Sequence, residues 1–293
     1  MKFQRLALIG CGLMGGSFAL ALRQAGLVAH VAGFSASENT RQKAVRLGVI
    51  DTACASAAEA AEGADLVLIA VPVRATEATL RAIDAVLSSN ALVMDVGSTK
   101  GDVVTAARTA LRRSLPNLVP AHPIAGKEVA GIEHADAALY RDRLVILTPL
   151  PETPTERVLQ AHQLWQAVGS RVLELSAQAH DASFAAVSHL PHLAAFALVN
   201  AVARQPHGAQ HLSMAGPGFR DFSRIAASDP CVWRDILLAN RDEVLHQCTL
   251  MREVLHEFET AMRGGDAEQL QTLISEASQT RSRWRLGGAD SDV

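Results

Sequence analysis

Arg5-Leu6-Ala7-Leu8-Ile9-Gly10-Cys11-Gly12-Leu13-Met14-Gly15-Gly16-Ser17 is the stretch that decides the fold of this chain. A short apolar run meets a G-x-G-x-x-G triplet, and Phe18 to Ala25 continues with helical patterning, so the stretch reads as strand, glycine turn and helix. In that order the first glycine permits a tight turn, the second lets a pyrophosphate approach the backbone, and the third lets helix pack on strand. Amides at the helix N-terminus then meet the negative charge. Lys2 and Arg5 ahead of an apolar run also suit a signal peptide. However, Gly10, Gly12, Gly15 and Gly16 interrupt that run and Arg23 ends it.

Further strand-like runs follow at Val28–Phe34, Leu66–Val71, Ala91–Val96, Leu144–Thr148 and Arg171–Leu175, with helical segments between most of them. This alternation predicts an α/β fold, a doubly wound parallel Rossmann sheet covered by helices on both faces. Thr153 is placed to cap a helix starting at Pro154. After Ser176 the pattern turns all-helical, which puts a domain boundary between 1–176 and 177–293. The first long helix is expected over Ala177 to about Arg204, kinked at Pro191. Gly208, Gly216, Pro217 and Gly218 disfavour helix in the first half of 205–230, and two more helices are expected over about Cys231–Arg263 and Asp266–Arg283. The apolar stripe Leu237, Leu238, Val244, Leu245, Leu250, Met251, Val254, Leu255 and Phe258 exceeds what one small domain hides, so a homodimer through this half is expected.

Composition narrows the function. With 293 residues, 49% hydrophobic content and a net charge of −3, the chain suits a globular protein of two domains and offers no basic footprint for nucleic acid. The apolar stretch Leu190–Ala203 is shorter than the ~20 residues of a membrane span. Cys11, Cys54, Cys231 and Cys248 have neither disulfide-framework nor metal-ligand spacing, which points to a reducing cytoplasmic setting.

Three segments carry chemistry. In His122-Pro123-Ile124-Ala125-Gly126-Lys127-Glu128, His122 titrates near neutral pH beside backbone free to approach a ligand, as proton removal from an alcohol requires. Asp95-Val96-Gly97-Ser98-Thr99-Lys100 follows a strand, so Ser98 either contacts nicotinamide and substrate or caps the next helix, or both. Arg220 and Arg224 lie four apart, and one of them suits a substrate carboxylate; pairing with Asp221 is the alternative. For the cofactor, Gly10, Gly12, Leu13, Met14, Gly15 and Val71 are expected contacts. Where an NAD enzyme usually has a carboxylate about 20 residues past the loop, this chain has Ser35. Ser35 and Ser37 can bond a 2′-phosphate and Arg41 can neutralise it, so NADP is favoured over NAD. A shifted register would instead bring Glu38 to the ribose.

These segments, with His180-Asp181, Ser188-His189-Leu190-Pro191-His192 and Trp233-Arg234-Asp235, resemble the prephenate dehydrogenase family, which includes arogenate and cyclohexadienyl dehydrogenases. The resemblance implies a Rossmann domain followed by a helical dimerisation domain, with no regulatory ACT module or fused mutase. It implies oxidative decarboxylation of prephenate or arogenate on the route to tyrosine. His122 matches the catalytic histidine, Ser98 the serine joining it to substrate and nicotinamide, and Glu128 a gating acid. Arg224 matches the carboxylate-binding arginine, and His192 and Asp181 match pocket residues. The β-hydroxyacid dehydrogenases share this architecture but use a lysine of the helical domain, whereas the lysines here are Lys2, Lys43, Lys100 and Lys127. A catalytically silent NADP sensor is the other alternative.

Overall fold

The apolar alternation of the first strand places Leu6 and Leu8 on one face and Ala7 and Ile9 on the other, and each set enters a different core layer. In the computed structural model, which describes residues 2–127 and 129–285, the chain runs through β1 (Phe3–Ile9), α1 (Leu13–Gln24), β2 (Val28–Phe34), α2 (Glu38–Arg46), β3 (Thr52–Ala53), α3 (Ala57–Ala61), β4 (Leu66–Ile69), α4 (Thr76–Ile83), β5 (Leu92–Asp95), α5 (Gly101–Ala110) and β6 (Leu118–Val119). These six strands pair in parallel in the order β3-β2-β1-β4-β5-β6, the Rossmann arrangement. One core layer seats Phe18, Leu22, Tyr140 and Trp165 on the sheet; the other seats Leu80, Ile83 and Ala107.

The chain then builds a second sheet from β7 (Ala121–Pro123), β8 (Leu144–Leu147) and, after α6 (Thr155–Ala167), β9 (Arg171–Glu174). The run at Leu144 was expected to extend the parallel sheet; instead β8 pairs antiparallel with β7 and parallel with β9. Thr153 does not cap α6, because its hydroxyl donates to Leu118 O at 2.9 Å, and Pro154 holds the cap position.

A helix of 27 residues, Ala177–Ala203, follows. It comprises α7 (Ala177–Phe184), a π-helical turn over Ala185–His189 and α8 (Leu190–Ala203). Pro191 brings no N–H to the ladder, and the departure from α geometry falls in the turn before it. Length and composition alone would let this helix cross a membrane. Here its His180, Asp181, Phe184, Ala185, His189 and Ala195 are buried in the fold. Residues 205–218 were expected to be non-helical, yet α9 (Gly208–Ser213) and α10 (Pro217–Ser223) form, the latter opening on Pro217 as a first-turn proline does.

The expected helix 231–263 is two: α11 (Pro230–Ala239) and α12 (Arg241–Gly264), followed by α13 (Ala267–Arg283). Asn240 leaves helical geometry between the first two, and its side-chain amide donates to Asp181 O at 2.8 Å. By contact density the chain parts at this break, into residues 1–241 and 242–293. The second unit is essentially α12 and α13, joined through Gly265 at φ +66 and capped by Asp266 on Gln269 N. It leaves Leu250, Met251, Val254, Leu255, Met262 and Ile274 exposed.

Candidate active site

The glycine turn opens a cleft of about 540 Å³ at the carboxyl edge of β1, β2 and β4. Gly10 has φ +105, and a Cβ there would lie 2.1 Å from Ala70 O, so only glycine lets the chain turn this close to the end of β4. A Cβ on Gly12 would meet nothing within 4 Å. That open space, beside the N-terminus of α1, fits a pyrophosphate laid against the backbone. Of the expected cofactor contacts, Gly10, Gly12, Ser35 and Val71 line the cleft. Leu13 and Met14 begin α1 beside it, and Gly15 is buried behind it, where its Cβ would lie 2.2 Å from Gly10 O.

Two cations stand at the end of β2, Arg41 against cleft-lining residues and Lys43 in the lining itself. Arg41 donates to Ser35 O and lies over the Phe34 ring at 5.8 Å, outside the cleft lining, while Ser37 caps α2 on Thr40 N. Asn39, Thr40 and Lys43 line the cleft. Lys43 pairs at 3.1 Å with Glu133, which lines the same cleft from the Gly131–Glu133 segment. Tyr140 OH donates to Met14 O and Asp136 N to Ser17 Oγ, holding the chain after His122 on α1.

His122 projects from β7, whose start is fixed by a buried ion pair. Lys100 Nζ donates to Asp95 Oδ2 and, at 2.8 Å, to Ala121 O, while Ala121 N donates to Asp95 Oδ1 at 3.1 Å. His122 Nδ1 lies 2.8 Å from His180 Nε2, and His180 Nδ1 lies 2.8 Å from Asp181 Oδ1. Phe184 covers both rings, with centroids 4.8 Å from His122 and 4.6 Å from His180. Burial, then the charge of Lys100 and the neighbouring histidines, hold the His122 pKa well below its ordinary value.

Asp181 was expected to line the substrate pocket, but its carboxylate is committed to the fold. Besides His180 it accepts from Lys100 N at 2.9 Å and Gly101 N at 2.7 Å, the opening amides of α5. It therefore supplies the cap that α5 lacks, and Ser98, half-buried on the loop after β5, does not.

Beyond Asp181 lie His189, bonded to Asn240, and His192, whose ring stacks on Trp233 at 3.6 Å. His192 Nδ1 donates to Ser188 O at 2.9 Å. Burial and the nearby Arg224 guanidinium lower the His192 pKa against the opposing effect of the Ser188 bond. Arg224 opens a short 3₁₀ turn, whereas Arg220 pairs with Asp221 at 2.9 Å. Electrostatic interactions link His122 to His189, and His192 to Arg224. Glu128 lies outside the described residues. His180, Phe184, Trp233 and Lys43 are the additions, and the adjacent His180-Asp181 pair was the one local signal for the first of them.

A glycine-turn cleft at the carboxyl ends of a parallel sheet of this order defines the class: a dinucleotide-binding Rossmann protein. Comparison with known proteins narrows it. The family profile described as prephenate dehydrogenase, nucleotide-binding domain, matches residues 18–174, and that described as prephenate dehydrogenase, dimerization domain, matches 176–276. The chain belongs to the prephenate dehydrogenase family. It is 34% identical over 283 residues to the cyclohexadienyl dehydrogenase of Zymomonas mobilis, covering 95% of each chain. It is also similar to the crystal structure of Aquifex aeolicus prephenate dehydrogenase in complex with hydroxyphenyl propionate and NAD+, with a TM-score of 0.89, 36% identity and coverage of 96% and 98%. Against Synechocystis arogenate dehydrogenase the TM-score is 0.83 at 25% identity, covering 96% of this chain and all of that one.

Proposed function

We propose that the chain catalyses the nicotinamide-dependent oxidative decarboxylation of prephenate or arogenate, with NADP favoured over NAD. The observation that carries this reading is His122 held at one ring nitrogen by His180, with its pKa well below the ordinary value. The other nitrogen of His122 accepts the proton of the ring hydroxyl, and the low His122 pKa keeps the ring in the form that can do so. Arg224 grips a substrate carboxylate, His192 and Trp233 wall the side-chain end, and Ser98 lies between His122 and the nicotinamide. Bound cofactor supplies the hydride acceptor. Loss of carbon dioxide then makes the ring aromatic and the step irreversible.

The cofactor preference rests on Ser35 at the end of β2 and on Lys43, Asn39 and Thr40 along the same side of the cleft, where a 2′-phosphate meets donors and a cation. We take 1–176 as the nucleotide-binding domain and 177–293 as the helical substrate and dimerisation domain. Support comes from the junction of the two family profiles between 174 and 176, and the exposed apolar side chains of α12 suit a homodimer. All four cysteines are free thiols, which suits the cytoplasm.

The test is a two-by-two assay of prephenate and arogenate with NAD and NADP, following reduced cofactor. Turnover with NADP and at least one substrate is expected, and Ser35→Asp moves the preference toward NAD. No reduction in any of the four combinations refutes the function.

A further inference from the structure

The reaction uses one nitrogen of His122, and the hydrogen bonds around His180 determine which. Burial raises the Asp181 pKa, but the bonds from His180 and from the Gly101 and Lys100 amides outweigh it and hold the carboxyl below its ordinary value. An ionised carboxylate only accepts, so His180 Nδ1, 2.8 Å away, carries a hydrogen. One hydrogen occupies the 2.8 Å contact between His180 Nε2 and His122 Nδ1. If it belongs to His122, both rings are neutral and His122 Nε2 is bare. If it belongs to His180, that ring is the cation, and its charge lies against Asp181. The two states differ by the one proton that the reaction delivers.

We infer that His180 is a positioning and relay residue: it holds His122 in the Nδ1–H tautomer before reaction and takes that hydrogen as His122 Nε2 receives the substrate's. This inference rests on the dehydrogenase reading above. The substrate O–H bond breaks and the His122 Nε2–H bond forms; the His122 Nδ1–H bond breaks and the His180 Nε2–H bond forms. His122 ends neutral, and the positive charge comes to rest on His180 beside Asp181, away from the reacting carbon. The hydride and its electron pair go to the oxidised nicotinamide. His180 is fully buried and Asp181 nearly so, so the relay stores the proton without a direct exit to solvent. The same proton then leaves through His122 Nε2 once product has gone.

Two measurements test this. Nitrogen-15 NMR of the histidine rings in the unliganded protein needs no variant and no turnover: His122 and His180 are both expected in the Nδ1–H tautomer, and a protonated His122 Nε2 at neutral pH overturns the inference. In kinetics, dependence of kcat on the deuterium content of the solvent is expected to curve for two protons in flight. His180→Gln keeps an oxygen acceptor for His122 Nδ1–H but cannot take the proton. Its kcat is expected to fall about 10-fold with KM unchanged and the deuterium dependence to become linear, while His180→Leu falls about 100-fold. A linear dependence in the wild-type chain, or a His180→Gln enzyme with unchanged kcat, refutes the relay. If the wild-type chain oxidises neither substrate, the proposed function falls, and the ring spectra still judge the tautomer.

Discussion

Replacing Lys100 by Met tests how the fold holds the strand that carries His122. Lys100 is fully buried, and its ammonium bonds Asp95 Oδ2 and Ala121 O. Without it, Asp95 keeps only Gly97 N at 2.7 Å and Ala121 N at 3.1 Å, and a buried carboxylate loses its counter-charge. Removing one partner of a buried pair costs about 3–5 kcal/mol, and the two amides left on Asp95 place the expectation near the lower end, about 3 kcal/mol. At roughly 2–4 °C per kcal/mol, the melting temperature falls by about 6–12 °C. Asp95→Asn combined with Lys100→Met removes the stranded charge and is expected to recover at least half of that loss. The same variant reports on chemistry, because the Lys100 charge helps depress the His122 pKa. Without that charge His122 takes up a proton at higher pH, so the acid limb of kcat/KM moves upward. Calorimetry and a pH–rate profile read the two effects. A double variant no more stable than Lys100→Met refutes the stranded-charge argument, and an unmoved acid limb refutes the electrostatic link to His122.

Arg224→Ala is expected to raise KM far more than it lowers kcat, and His122→Asn to do the reverse; equal losses in both parameters for both variants defeat that division of roles. Gly10→Ala, with its Cβ 2.1 Å from Ala70 O at φ +105, is expected to weaken nucleotide binding at least about 10-fold by titration calorimetry, and unchanged affinity counts against the cleft assignment. Burial above all lowers the His189 pKa from 6.5 to about 4, against the pull of Asp181. The unfolded chain then binds a proton that the native one refuses. This contribution, on the order of 3 kcal/mol, is therefore full above pH 6.5 and is lost as pH falls toward about 4. His189→Gln should flatten the acid side of the stability curve.

The sheet was legible where its strands are local apolar runs: β1, β2, β4 and β5 stand where the alternation placed them. β3, β6 and β7 have only two or three residues each, and their existence depends on partners that no local pattern reveals. Leu144–Leu147 has the composition of a Rossmann strand, but sheet membership is a matter of neighbours, and its neighbours are β7 and β9. The apolar stripe runs through Asn240 unbroken, whereas the helix breaks there to serve the carbonyl of Asp181, 59 residues away. In the site, residue types pointed to His122, Arg224 and His192. They did not show that Asp181 caps α5 and braces His180, or that Lys43 joins Ser35 in lining the cleft while Arg41 lies over Phe34 at its edge.

The π-helical turn at Ala185–His189 sets the phase between two working faces. Upstream, His180 and Asp181 address the β7 histidine and α5; downstream, His192 addresses Trp233. A π turn carries one residue more than an α-helix needs, and one residue is worth about 100° of rotation. Deleting a single residue there would return the turn to α geometry and leave the face that α8 presents nearly unchanged, whereas a deletion inside α8 would rotate everything beyond it by about 100°. The surplus residue makes this turn the place where the long helix can lose one position without changing phase, while its buried Ala185 and His189 fix the side chains at either end. In a library of single-codon deletions across 177–203, loss of activity in folded protein should be least at Ala186 and Val187, and a maximum there refutes the argument.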